Sequence, residues 1–178
     1  VVRAGVDWGR LTAEALRHGM LPLLHDLLKR LGPEIVPDAL LSRIADRYRE
    51  MARTTLFLEV ELVRSLDALR AAGVDALPFK GPALGAFAYG DATLRQPGDL
   101  DILVPASRAP RARDVLLAAG YRPESHIDWA TDADRWRYDY AQAFARDGRF
   151  HVELHWEVTE RYFVFRLPCE ELWERRGR

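Results

Sequence analysis

Asp99-Leu100-Asp101-Ile102-Leu103-Val104 places two carboxylates two positions apart in an otherwise apolar run. Pro97-Gly98 precede the run and Pro105 follows it, so it reads as a short strand between breakers. Side chains alternate along a strand, which puts Asp99 and Asp101 on one face and Leu100 and Ile102 on the other. Two neighbouring carboxylates repel unless a cation lies between them. A divalent metal with a taste for oxygen ligands is the chemistry such a pair suits. The competing account is structural, with one Asp as a strand-end cap and the other a solvated face residue.

Three further stretches bear on that choice. Ala76-Leu77-Pro78-Phe79 reads as a buried strand, followed by Lys80-Gly81 and a helix from Pro82 to about Tyr89. Pro suits a first helical turn, Gly lets backbone approach a ligand closely, and a strand–Gly–helix corner offers N–H groups to phosphate. Tyr89-Gly90-Asp91 reads as the end of that helix, with Gly90 just past it. Farther on, Asp147-Gly148 is a hairpin turn of the type I′ kind between strands over Tyr138 to Arg146 and Arg149 to Glu157. In the second strand Phe150, Val152, Leu154 and Trp156 share one face, and His151, Glu153, His155 and Glu157 the other. A polar face of that kind also describes the solvent side of an antiparallel sheet. The His-x-Glu-x-His spacing is not the His-Glu-x-x-His of zinc proteases.

Together these stretches resemble the DNA polymerase β-like nucleotidyltransferase superfamily. Within it they resemble a family of uncharacterised bacterial nucleotidyltransferases. The resemblance rests on Lys80-Gly81, Tyr89-Gly90-Asp91, Arg95, Asp99-Leu100-Asp101 and Val152-Glu153-Leu154-His155-Trp156. One departure is plain. The corner is Gly81-Pro82 where the superfamily usually has Gly-Ser or Gly-Gly, and Pro82 removes one N–H and a hydroxyl.

The resemblance implies an α+β fold: a small mixed β-sheet core packed with helices, over 73–178, preceded by an N-terminal helical region over 1–72. It implies transfer of an NMP from an NTP such as ATP to an acceptor hydroxyl, with release of pyrophosphate. Asp99, Asp101 and Glu153 would be the catalytic carboxylates and the ligands of Mg²⁺, with Mn²⁺ as an alternative. Lys80, Gly81 and Arg95 would meet the phosphates. His155 and Asp91 would contact substrate or support the carboxylates, with His151 at the surface. The acceptor, whether small molecule, protein or RNA, is left open. Two other readings compete: a catalytically degenerate nucleotide- or protein-binding module, and a metal hydrolase using the same acidic face.

Composition narrows the classes. The 178 residues carry 26 basic and 27 acidic side chains and are 48% hydrophobic. That argues against a constitutively basic nucleic-acid surface and for a real core. The lone cysteine, Cys169, rules out an intramolecular disulfide and fits a reducing cytoplasm. No run is long and apolar enough for a membrane span, and no signal peptide is visible. The start at Val1 and the Arg175-Arg176-Gly177-Arg178 end suggest a trimmed piece of a longer protein.

Helices are expected over Asp7 to His18, over Leu21 to Leu31, and from Asp38 to about Ala72. Thr54-Thr55 marks a place where the third would break or bend. The Arg and Glu residues along it are expected on a solvated face. Ala106 to Ala119 should be a helix, Tyr121 to Pro123 a short strand, and Cys169 to Arg176 a helix. Glu124 to Arg137, with a short helix from Thr131, is either a loop over the site or a surface connection.

Overall fold

The structure is a computed structural model, and it describes residues 5–96, 98–124, 139–159 and 169–175. The short helix expected from Thr131 and the strand start expected at Tyr138 lie outside these residues. The chain divides into two compact units. One runs up to Val60 and includes Gly81–Gly98; the other takes Glu61–Lys80 and everything from Asp99 on.

The first unit is helical. Helix α1 (Trp8–Arg17) is capped by Asp7, whose side chain accepts from the Arg10 N–H at 2.9 Å. Helix α2 (Leu21–Leu31) stops at Gly32, at φ 76°. Leu21, Leu28, Val36, Leu40 and Ile44 form its core, with Trp8, Leu24 and Met51 packed against them. Helix α4 (Gly81–Tyr89) ends at Gly90, at φ 71°, and a 3₁₀ turn follows over Ala92–Leu94. A Cβ on Gly85 would lie 2.9 Å from the Ala92 carbonyl oxygen, so only glycine lets the turn fold back onto the helix.

Helix α3 runs unbroken from Asp38 to Ala71. The break expected at Thr54-Thr55 does not occur. Both hydroxyls bond back along the helix, Thr54 to the Glu50 carbonyl at 3.3 Å and Thr55 to that of Met51 at 3.1 Å. No helix among the described residues is long and apolar enough to cross a membrane.

The second unit holds a five-stranded mixed sheet in the order β1-β2-β5-β4-β3. The strands are β1 (Leu77–Pro78), β2 (Leu100–Leu103), β3 (Arg122–Pro123), β4 (Ala141–Arg146) and β5 (Phe150–His155). Among the described residues only the β2–β5 pair is parallel. The α+β class with a small mixed sheet therefore holds. Strand β2 is buried at all four positions, as an inner strand of a covered sheet should be. Helix α5 (Ala109–Ala118) packs on β5 and buries Ala109, Ala112 and Leu116. A short helix, α6 (Cys169–Glu174), follows.

Two strand expectations change in detail. The β1 strand is two residues long and half-buried, because it is an edge strand that ends where Lys80 turns the chain into α4. In the hairpin, Asp147 and Gly148 take φ of 56° and 62°, and the Arg149 N–H closes the turn on the Arg146 carbonyl at 3.1 Å. Pairing resumes with Arg146 opposite Phe150, so Arg149 is an extra residue in the loop.

Glu61 corrects the expectation of a solvated face on α3. It is 2% exposed. Tyr121 Oη donates to its Oε1 at 2.6 Å, and Arg146 Nη2 lies 2.6 Å from its Oε2. The Arg146 guanidinium also stacks over the Tyr121 ring, 4.9 Å from its centroid. Burial and the Glu61 carboxylate push the Tyr121 hydroxyl far above its ordinary pKa. Neutralising Glu61 takes the charged acceptor from the buried Tyr121 hydroxyl and the buried partner from Arg146. Glu61→Gln should cost roughly 3 kcal/mol of stability, read as a lower urea midpoint at unchanged slope.

Candidate metal centre

Asp101 is the least ordinary residue of the sheet: a carboxylate 3% exposed on an inner strand. A buried charge has to be paired and hydrogen-bonded. Its Oδ1 accepts from two donors, Lys80 Nζ at 2.7 Å and His155 Nε2 at 3.2 Å. Lys80 follows β1 and His155 ends β5, so the two strands flanking β2 each deliver one partner. The backbone ties the same pieces together. Phe79 donates its N–H to the Asp101 carbonyl, and Val104 donates to the His155 carbonyl at 2.8 Å.

Glu153 stands opposite Asp101 in the parallel register, so the two side chains share a face. His155, two residues on, is on that face too. Its Nε2 is 3.1 Å from Glu153 Oε2. Both of its neighbours are carboxylates, which only accept, so the ring carries a proton on Nε2. The Phe79 ring meets the imidazole edge-on, with centroids 4.9 Å apart.

One ligand atom from each of Asp101, Glu153 and His155 lies within 4.8 Å of the others. Two carboxylate oxygens and an imidazole nitrogen at that spacing suit a divalent cation in chemistry and in size. Glu153 is 37% exposed, so the cluster opens on its side rather than being sealed.

The electrostatics follow from this arrangement. Burial alone would raise the Asp101 pKa, but the hydrogen bonds from His155 and Lys80, and their charges, hold it below 3.8. Burial would lower Lys80, and the Asp101 hydrogen bond, with the charges of Asp101, Glu153 and Asp99, carries it above 10.5 instead.

The residues singled out in the sequence are therefore distributed unevenly. Lys80, Asp101, Glu153 and His155 come together. Asp99 precedes β2, is half-buried and acts on Lys80 through its charge, but is not among the three residues clustered within 4.8 Å. Gly81, Arg95 and Asp91 belong to the first unit. There Arg95 Nη1 donates to the Gly81 carbonyl at 3.2 Å. Asp91 caps the 3₁₀ turn, accepting from the Thr93 N–H at 2.8 Å and its hydroxyl at 2.7 Å. His151 pairs with Glu124 at 3.0 Å on the exposed side. The Lys80–Asp101 pair was missed in the sequence. Its only local signal is a lysine just past one strand and an aspartate inside the next.

The family model described as uncharacterised nucleotidyltransferase matches residues 4–178. No curated protein and no solved structure matches the chain.

A carboxylate whose pKa is depressed by folding stabilises the fold above its unfolded pKa and ceases to as pH falls through its folded pKa. Metal-free wild type should therefore lose stability on acidification below 3.8 in part through Asp101. Asp101→Asn should lack that part of the acid limb. Thermal unfolding of both chains against pH checks it, and parallel acid limbs would count against the pairing.

Proposed function

The chain belongs to the family of uncharacterised nucleotidyltransferases, and on that premise we propose that it moves an NMP from an NTP to an acceptor hydroxyl. The reaction centre is the face of β2 and β5 that carries Asp101 and Glu153. The observation that carries this reading is the register: Asp101 stands opposite Glu153 on adjacent parallel strands. The placement within the polymerase β-like superfamily rests on the same Asp-x-Asp strand with a third acidic residue beside it.

A divalent cation, Mg²⁺ or Mn²⁺, would be held by Asp101 and Glu153, with Asp99 as a further carboxylate, and would supply charge neutralisation of the triphosphate and activation of the hydroxyl. The acceptor oxygen attacks the α-phosphorus. The bond from that phosphorus to the oxygen bridging to the β-phosphate breaks, and pyrophosphate leaves with the electron pair. Glu153, the more exposed of the two carboxylates, takes the hydroxyl proton. Lys80 is 43% exposed, and its raised pKa keeps it cationic throughout the neutral range. It is the cation placed to meet the developing charge on the leaving phosphates.

A second reading, nucleotide binding without transfer, draws on Pro82, which removes an N–H from the first turn of α4. Release of pyrophosphate separates the two, because a binding module releases none.

Calorimetric titration of each NTP into wild type and Asp101→Asn, with and without Mg²⁺, tests the proposal. Metal-dependent binding should appear in wild type and fall by at least about tenfold in the variant. Equal affinity in the two chains would remove Asp101 from the metal site.

A further inference from the structure

His155 is 1% exposed, too enclosed to touch a substrate directly. It is nevertheless part of the ligand cluster, with its Nε2 beside one oxygen of Asp101 and one of Glu153. The question is whether the ring only clamps the two carboxylates or binds the cation with them.

The far side of the ring bears on this. Its Nδ1 is buried and has no hydrogen-bond partner among the described residues. The partner of one ring nitrogen sets which nitrogen carries the proton, and at Nδ1 none among the described residues does so. The neutral ring can therefore carry its single proton on Nδ1 instead, which turns the Nε2 lone pair toward the oxygens of Asp101 and Glu153. Phe79 meets the ring edge-on at 4.9 Å and Tyr140 flanks it at 5.8 Å, which favours that position.

We propose that His155 Nε2 is a metal ligand alongside Asp101 and Glu153, and that this makes the centre selective for a first-row transition ion over Mg²⁺. The inference rests on the metal site proposed above and adds the identity of its third ligand and of its cation. Imidazole bonds transition ions well and Mg²⁺ poorly, because Mg²⁺ demands oxygen ligands and gives up its water reluctantly. A nitrogen in the ligand set therefore tilts the selection.

Mn²⁺ tests this directly because it is paramagnetic. Pulsed electron paramagnetic resonance of the Mn²⁺-loaded wild-type chain should show ¹⁴N modulation from a directly bound imidazole, and His155→Gln should abolish it. By calorimetry the same variant should lose at least about tenfold in Mn²⁺ affinity. Its Mg²⁺ affinity should move less than about threefold, as expected where nitrogen contributes little. Bound Mn²⁺ without ¹⁴N modulation in wild type would overturn the proposal and leave the carboxylate centre standing, and that readout needs no variant to fold. Modulation that survives in folded His155→Gln would assign the nitrogen to another residue and overturn it equally. Failure of the wild-type chain to bind either ion would overturn both this inference and the metal-dependent reading beneath it.

Discussion

A carboxylate buried in the middle of a sheet is the constraint on which the second unit depends. Asp101 lies on an inner strand and is 3% exposed, where an unpaired charge would cost several kcal/mol. Its two donors come from the segments on either side, Lys80 beyond β1 and His155 at the end of β5. Strand order and charge compensation are thus one requirement. Separating β1 or β5 from β2 would strand the charge as well as break the ladder. The apolar face of the same strands, with Leu100 and Ile102 beside Val152 and Leu154, supplies the burial that holds the arrangement together.

The unit contains a second buried carboxylate, and the contrast between the two is informative. Glu61 is closed in by Tyr121 and Arg146, each at 2.6 Å, and the guanidinium lies 4.9 Å from the Tyr121 ring centroid and 5.1 Å from that of Phe150. Its charge is answered by the Tyr121 hydroxyl and the Arg146 guanidinium, with Arg64 farther off at 4.0 Å. At Asp101, a further carboxylate and an imidazole crowd the same spot, and both Glu153 and Lys80 reach toward solvent. The first set ties a helix to a sheet. The second has acceptors in excess and an open side, which is the condition for taking up a cation from outside.

Much of this could be read from the chain. The Asp-x-Asp strand, the Asp147-Gly148 turn and the polar face carrying Glu153 and His155 are local signals, and each depends only on period-two alternation and turn chemistry. The resemblance implies only that Glu153 joins the two aspartates; the parallel pairing of β2 with β5 is not legible in the chain, since no local pattern fixes which strands become neighbours or in which direction. Glu61 was misjudged because a glutamate on an amphipathic helix is usually solvated, and nothing nearby in sequence announces Tyr121 or Arg146 as its partners. Thr54-Thr55 misled in the opposite way. Their hydroxyls compete for backbone in isolation, yet within a long helix they bond to the preceding turn without breaking it.

The central claim is that Asp101 and Glu153, neighbours across β2 and β5, form one cation-binding centre. The most direct measurement is an anomalous difference map from a crystal of the chain grown with Mn²⁺ and a non-hydrolysable NTP analogue. The account predicts a manganese peak within bonding distance of both carboxylates, with the triphosphate against it. A peak elsewhere on the molecule, or a bound nucleotide with Lys80 still seated on Asp101 and no metal between the strands, would contradict it.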